Sequence, residues 1–196
     1  RRLSTVSALF IVSTGSPSAP TDLVDCLAHS FARQGFSGPV RRTWNGGMLV
    51  WYPTPAQPAI PAMQAWIDDG EGFACCAGTV FYKRRTGEAA LRALWRHFDR
   101  SNAARPPDAL GNYLSAVGKQ GRIWVFGDRL GLIRLYQAPG LGLLSTSWLA
   151  CLDALSAPVL DAFGAREYIF EGANHGDRSP VAGIGIADPD VVTEVT

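Results

Sequence analysis

The segment Arg122–Leu149 reads RIWVFGDRLGLIRLYQAPGLGLLSTSWL and contains three short apolar runs separated by turns. These runs are Ile123–Phe126, Leu132–Tyr136 and Leu141–Leu144. The glycines and the Pro139-Gly140 dipeptide between them are typical of tight turns. Apolar and polar side chains alternate along the second run, which is the period-two pattern of a half-buried strand. The segment therefore predicts an antiparallel meander with one face on a hydrophobic core.

The composition is that of a globular domain that can bury a full core. The chain has 196 residues, which fits one domain, and 47% of them are hydrophobic. A formal net charge of +1 provides no electrostatic attraction to nucleic acid or to an acidic membrane surface. The apolar runs are all shorter than the roughly 20 residues that span a bilayer. We therefore expect neither nucleic acid nor a membrane as a partner.

The cysteine spacing gives no metal-binding or disulfide pattern. The four cysteines are Cys26, Cys75, Cys76 and Cys151. Adjacent residues of a strand point to opposite faces, so Cys75 and Cys76 should not meet. We expect free, buried thiols in a reducing compartment, which favours a cytoplasmic protein.

Residues 1–19 allow two interpretations. Arg1-Arg2, the apolar run Val6–Val12 and the small residues 16–19 have the order of a signal peptide. The alternative is a buried first strand over Thr5–Ser13.

The remaining patterns predict an α+β fold, most simply sheets packed face to face with helices outside. The expected helices are one that begins at Thr21 and ends at Gly35, then Glu88–Phe98, Trp148–Leu155 and Ala162–Phe170. The expected strands outside the meander are Arg41–Trp44, Met48–Tyr52 and Phe73–Tyr82, with a closing hairpin through Val181–Val195, and Leu114–Val117 begins the meander. Met63–Ile67 is either a short helix or an edge strand.

The segment Gly127–Tyr136 resembles the aspartate-arginine, glycine, leucine-tyrosine motif of the class II glutamine amidotransferase domain in the asparagine synthetase family. The positions that match are Asp128, Arg129, Gly131, Leu135 and Tyr136. Gly127 stands where the family has an arginine, and Arg134 stands where it has a proline.

The resemblance extends from about Phe73 to the end of the chain. Phe73–Trp95 resembles the family's asparagine-glycine-glutamate strand and the following helix, and Leu110–Val117 resembles its next strand. Tyr168–Asp190, with Arg178 at the family's arginine, resembles the end of that domain. The resemblance implies one domain over residues 1–196 with an α/β/β/α N-terminal-nucleophile sandwich. Since the family opens with a strand, it favours Thr5–Ser13 as a strand over a signal peptide.

Active members of the family use an N-terminal cysteine as nucleophile, its own α-amino group as base and an oxyanion hole. The first cysteine here is Cys26, inside a predicted helix. The family's asparagine-glycine falls on Ala77-Gly78 and its glutamate on Thr79. Its arginine for the substrate carboxylate is missing from Met48–Pro53, and Glu88 is the nearest match to its aspartate. The resemblance therefore implies a vestigial glutamine pocket without catalytic residues.

The expected function is a catalytically inactive, glutaminase-like domain, as in β-lactam synthetases and lasso-peptide cyclases of natural-product biosynthesis. It would be a structural or docking part of an amide-bond-forming enzyme, with a synthetase domain or subunit as partner, a peptide or small molecule as a further partner, and a homodimer left open. We expect no cofactor in this chain, because ATP and magnesium belong to a synthetase domain whose glycine-rich loop this sequence lacks.

Two alternatives to this function remain. The first is that the chain is an active N-terminal-nucleophile amidohydrolase or glutaminase after trimming to Ser4 or Thr5. A third, weaker hypothesis is a sensor that binds ligands in the vestigial pocket near Trp44, Trp51 and Trp66, although core packing is the commoner use of such residues.

Overall fold

The structure, a computed structural model, describes residues 7–13, 21–54, 66–99, 101 and 104–195. Its helices are α1 (Thr21–Arg33), α2 (Gly87–His97), α3 (Trp148–Ala154) and α4 (Ala162–Glu171). Its strands are β1 (Ala8–Ser13), β2 (Val40–Trp44), β3 (Gly47–Tyr52), β4 (Trp66–Asp68), β5 (Gly72–Tyr82), β6 (Ala109–Lys119), β7 (Arg122–Gly127), β8 (Tyr136–Ala138), β9 (Leu143–Ser145), β10 (Gly185–Ile186) and β11 (Thr193–Val195). A 3₁₀ turn, Pro139–Leu141, lies between β8 and β9.

The strands form two antiparallel sheets, which confirms the predicted α+β class. The six-stranded sheet has the order β10-β8-β9-β1-β3-β2, and the five-stranded sheet has the order β11-β7-β6-β5-β4. β1 lies near the centre of its sheet, between β9 and β3. β5 and β6 pair along their whole length, from Gly72 opposite Lys119 to Tyr82 opposite Ala109.

Three clusters of buried side chains make up the core. The first lies between the two sheets and includes Leu9 and Ile11 of β1. The second joins the other face of the six-stranded sheet, with Phe10, to α1 and α3. The third joins the other face of the five-stranded sheet to α2. Each sheet is therefore covered on both faces, and this explains why β1 is apolar at consecutive positions.

The helices lie over the sheets in different ways. In α1, Phe31 stacks on Tyr52 of β3 with ring centroids 4.8 Å apart. Arg33 at the end of α1 forms an ion pair with Asp153 of α3. α4 packs through Gly164, where an added Cβ would lie 2.2 Å from the carbonyl oxygen of Ser179. A glycine at this position lets the helix backbone approach that segment closely.

Most of the predicted elements are confirmed. The β2–β3 hairpin, all four helices and the strand before Ser13 are present, and Thr5 and Val6 of that expected strand lie outside the described residues. The edge-strand alternative for Met63–Ile67 is correct for its last part, because Trp66 and Ile67 belong to β4 at the sheet edge, while residues 63–65 lie outside the described part. β6 is longer than expected.

The adjacent cysteines follow the strand rule. Cys75 lies between the sheets and Cys76 lies in the cluster under α2. All four cysteines are free thiols, as predicted, but only Cys75, Cys76 and Cys151 are buried, whereas Cys26 is half-buried.

The predicted meander is correct for two antiparallel pairs, β6 with β7 and β8 with β9, but the step from β7 to β8 within one sheet is wrong. β7 belongs to the five-stranded sheet, whereas β8 and β9 belong to the six-stranded sheet, so the chain crosses between the sheets after Gly127. Of the expected strand Leu132–Tyr136, only Tyr136 is in a strand. The reason is local: the Asp128 carboxylate accepts the backbone N–H groups of Leu130 and Leu132 and holds a turn there. Such side-chain bonds compete with strand pairing.

The predicted closing hairpin is also wrong. β10 pairs with β8, and β11 pairs with β7. These last two strands therefore complete different sheets and do not pair with each other.

Candidate functional site

The start of β1 brings a serine hydroxyl against the backbone of β5. Ser7 directly precedes β1 and is only 4% exposed. Its Oγ accepts a hydrogen bond from the backbone N–H of Gly78 at 2.9 Å and donates one to the carbonyl oxygen of Cys76 at 3.3 Å. The region around this contact is the candidate site, and we call it the Ser7 site.

Gly78 has a backbone conformation that other residues rarely adopt. Its φ is +83°, in the left-handed region. An added Cβ would lie 2.2 Å from the carbonyl oxygen of Asn112 and 2.4 Å from Cδ1 of Ile133. The site therefore requires glycine at this position for two reasons, the backbone angle and the close neighbours.

A tryptophan shares the acceptor used by Ser7. Trp51 is 2% exposed, and its indole N–H donates to the carbonyl oxygen of Cys76 at 2.9 Å. The Ser7 hydroxyl thus donates its proton to the carbonyl oxygen of Cys76 and accepts the N–H of Gly78 with a lone pair. This pattern fixes the hydroxyl in one orientation and leaves it poorly suited to attack a substrate.

The other predicted pocket positions are divided between this site and the outside of the molecule. Ala77 is fully buried between the sheets, and its methyl group offers no amide donor. Thr79 is half-buried in β5, opposite Asn112 of β6. Glu88 is exposed in the first turn of α2, where its carboxylate lies 2.7 Å from the guanidinium of Arg92. That pair is an ordinary helix i,i+4 contact.

The tryptophans proposed to surround a pocket pack together. The rings of Trp51 and Trp66 lie 5.9 Å apart, and that of Trp66 stacks on Phe73 at 5.5 Å. Trp44 is half-buried against the cluster between the sheets. The aromatic group therefore contributes to the core. Ser4 and Thr5, the alternative nucleophiles, lie outside the described residues.

The family-motif positions around Asp128 shape the crossing between the sheets. Asp128 is 6% exposed and holds the turn described above, while Arg129 is exposed. Gly131 has φ +58°, and an added Cβ would lie 3.1 Å from Pro189. The carboxylate and the left-handed glycine thus hold the turn at the crossing between the sheets.

The other two motif positions, Tyr136 and Arg178, lie in β8 and in the segment between α4 and β10. Tyr136 is in β8, opposite Ser145 of β9 and Ile186 of β10, and burial raises the pKa of its hydroxyl. Arg178 is exposed, and its guanidinium lies 4.7 Å from the ring centroid of Phe163 in α4. Neither residue forms part of the Ser7 site by a hydrogen bond within the described chain.

A cavity of about 190 Å³ opens beside the crossing segment. Ile133, which lies over Gly78, is one of its walls, and Arg134 and Asp188 are among its polar residues. This volume is below the roughly 300–1,000 Å³ of most ligand pockets, so it would admit only a small molecule.

The buried thiols are not nucleophiles at neutral pH. Burial raises the pKa of Cys76 to about 12, and burial likewise raises that of Cys151 to about 12. Burial also holds the pKa of Cys75 well above its ordinary value, with the neighbouring Cys76 adding to the effect. Because the thiolate is the reactive form, these cysteines act as apolar core residues.

No group of three or more His, Cys, Asp or Glu side chains in the described ranges is arranged to hold a metal ion. No helix there is long and apolar enough to cross a membrane. Comparisons of the sequence with protein-family models and with curated proteins found no match.

Sequence reasoning missed Ser7 and considered Ser4 and Thr5 instead. The signal was present in the alternation of β1, since residues 7, 9 and 11 share one face. Leu9 and Ile11 face the five-stranded sheet, and Ser7 continues that face to the backbone of Cys76 and Gly78. The partner of Ser7, by contrast, is 71 positions away in sequence and has no local signal.

Proposed function

We propose that the chain is a glutamine amidotransferase-like domain of the N-terminal-nucleophile type that does not hydrolyse glutamine. It serves as a structural or docking part of an asparagine synthetase-like, amide-bond-forming enzyme in natural-product biosynthesis. The sequence resemblance supports this proposal, and so does the observed fold, in which two antiparallel sheets lie between helices. The observation that carries the claim of inactivity is that the Ser7 hydroxyl is hydrogen-bonded to the backbone of both Cys76 and Gly78.

The chemistry of glutamine hydrolysis needs groups that this site lacks. The nucleophile must be the first residue, so that its α-amino group can accept the proton. In this sequence Val6 precedes Ser7, so the nitrogen of Ser7 is an amide and cannot act as a base. The Gly78 N–H, the remaining oxyanion donor, already binds the Ser7 hydroxyl, and Ala77 supplies no second donor.

The partner proposed for the domain carries the rest of the chemistry. ATP and magnesium would bind the synthetase domain or subunit, which adenylates a carboxylate, and the complex would work in the cytoplasm. This domain would contribute a rigid surface, because both of its sheets are covered by packed side chains on both faces. A peptide or small-molecule substrate is a further partner of the same complex.

A glutaminase assay tests the inactivity directly. The full chain, with its N-terminal residue established by intact mass, is incubated with glutamine, and released glutamate is measured. We expect no release above that of the heat-unfolded protein. Release by the untrimmed chain that is lost in Ser7→Ala would refute the proposal, since a hydroxyl with a preceding peptide bond would then be catalytic.

Assembly is a separate measurement. The chain is co-expressed with an adenylating asparagine synthetase-like domain, and carboxylate-dependent exchange of pyrophosphate into ATP is compared with and without it. We expect exchange to be higher with the chain present. An unchanged rate and separate elution of the two proteins would refute the docking role and leave the glutaminase result unaffected.

An alternative function would need both a new N-terminus and a change at this contact. Cleavage directly before Ser7 would give it a free α-amino base, and its hydroxyl would have to release the Gly78 N–H so that this donor could bind the oxyanion. We propose as the second candidate an amidohydrolase that becomes active after cleavage between Val6 and Ser7, in place of trimming to Ser4 or Thr5. Mature protein that begins at Ser7 and releases ammonia from an amide would support it, and a mature chain that retains Val6 would exclude it.

A further inference from the structure

Helix α4 carries a solvent-exposed face of aromatic side chains and charges. Phe163 is 62% exposed and Phe170 is 77% exposed, although both are large apolar residues. Together with Arg166, Glu167 and Glu171 they line one shallow groove of about 270 Å³ along the helix. We call these five residues the α4 face. Exposed aromatic residues with an arginine among them have the composition of a binding surface.

The α4 face repeats the same arrangement at both ends. The guanidinium of Arg178 lies 4.7 Å from the ring centroid of Phe163, and that of Arg166 lies 5.8 Å from the ring centroid of Phe170. Phe163, Arg166, Glu167 and Phe170 occur at positions i, i+3, i+4 and i+7, so they follow one stripe of the helix. A stripe with an aromatic at each end and opposite charges in the middle is complementary to its own reverse.

We propose that the α4 face binds the α4 face of a second copy of this chain, with the two helices antiparallel across a two-fold axis. In such a contact the axis passes between positions 166 and 167. Phe163 of one protomer then meets Phe170 of the other, and Arg166 meets Glu167, twice each. A two-fold interface requires this kind of self-complementarity.

The charges on α4 are consistent with this arrangement. Arg166 forms no ion pair among the described residues, whereas a carboxylate oxygen of Glu171 lies 3.4 Å from Nε2 of His175. Glu167 accepts a hydrogen bond from Asn174 at 3.2 Å, and Asn174 also donates to the carbonyl oxygen of Gly164 at 2.6 Å. Arg166 is therefore available to a carboxylate of another protomer. A face of one sign would repel a second copy, but this face carries both signs.

The exposed area indicates a weak dimer. At about 150–250 Å² for each aromatic side chain, the exposed parts of Phe163 and Phe170 supply roughly 200–350 Å² per protomer. Ile169 on the adjoining surface is 76% exposed and adds to this. Since a standard stable interface buries about 800 Å² per partner, we expect a weak dimer that forms only at high protein concentration.

Sedimentation velocity of the full chain over a concentration series tests the proposal. We expect the weight-average sedimentation coefficient to rise from the monomer value to the dimer value as the concentration increases. Phe170→Asp should remove the dimer, whereas Leu130→Asp, at a residue 79% exposed outside α4, should leave it unchanged. A chain that stays monomeric throughout would overturn the proposal.

Charge reversal tests the predicted register. Arg166→Glu should weaken the dimer at least about ten-fold, because it places like charges opposite each other twice. Glu167→Arg should do the same. An equimolar mixture of these two variants should restore dimerisation as a heterodimer, and the double variant Arg166→Glu/Glu167→Arg should restore the homodimer. Arg129→Glu, the same change at an exposed position elsewhere, is the matched control.

The melting temperature of each variant separates folding from association. Glu167→Arg loses the bond from Asn174 Nδ2, but the bond from Asn174 to Gly164 remains. If a folded Arg166→Glu variant dimerises as well as the parent, or if the mixture stays monomeric, the antiparallel α4 contact is wrong.

Discussion

Removing the Ser7 hydroxyl should destabilise the protein by an amount that the site geometry sets. In Ser7→Ala the backbone N–H of Gly78 loses its acceptor at 2.9 Å, in a part of the structure that is largely closed to solvent. The carbonyl oxygen of Cys76 keeps its bond from the Trp51 indole. One orphaned donor costs about 1–3 kcal/mol, because its lost hydration is not replaced. The melting temperature should fall by roughly 2–12 °C for a chain of this size.

Two measurements follow this change. Denaturant unfolding gives the loss of free energy, and amide hydrogen exchange at Gly78 reports the contact itself. We expect faster exchange at Gly78 in Ser7→Ala, because the Ser7 oxygen is the acceptor that protects this amide. The matched control is Ser37→Ala, at an exposed serine, which should change the free energy of unfolding by less than about 0.5 kcal/mol.

The shared acceptor gives a further check. Trp51→Phe removes the other donor to the Cys76 carbonyl, so the double variant with Ser7→Ala leaves that oxygen with neither side-chain donor. The double variant should therefore lose more free energy of unfolding than the two single variants together, by about 0.5 kcal/mol or more. If Ser7→Ala is as stable as the parent and Gly78 exchange is unchanged, the hydroxyl does not hold this site and the reasoning about its inactivity fails.

Two other predictions concern buried groups. Burial raises the pKa of Tyr113 to about 12 from its ordinary 10.0, so the folded state holds this proton more tightly. The stability that this difference in pKa contributes is complete below pH 10.0 and is lost as the pH rises toward 12. The melting temperature of Tyr113→Phe should therefore fall less steeply with pH above 10.0 than that of the parent. An equal fall in both proteins would contradict this. Half-buried Cys26 should react with a thiol reagent in the native protein, while the three buried cysteines should react only on unfolding. Rapid native modification of Cys76, detected by mass spectrometry of peptides, would show that the core is open.

Much of the layer structure follows from the sequence. Alternation along a strand predicts that Cys75 and Cys76 point to opposite faces, and the structure places Cys75 between the sheets and Cys76 under α2. This succeeds because side-chain direction in a strand is a local property of the backbone. The helices follow for the same reason, since a 3.6-residue stripe is also local.

Local sequence patterns do not determine which of the two sheets a short strand joins. The segment after Gly127 was expected to turn back on β7, but the carboxylate of Asp128 holds a turn and the chain crosses to the other sheet. The apolar pattern is nearly the same for both outcomes, because either sheet would bury it. The closing hairpin is wrong for the same reason, since β11 pairs with β7 and not with β10.

The sequence alone determined where the helices lie, the α+β class and that Cys75 and Cys76 point to opposite faces of a strand. Only the tertiary structure decided that Ser7 meets the N–H of Gly78, 71 positions away. That contact depends on β1 being held between β3 and β9 while β5 is held by β6, with Gly78 at φ +83°. Burial patterns are encoded residue by residue, whereas a site made from two sheets depends on the registers of both, and these are set by the packing of the whole chain.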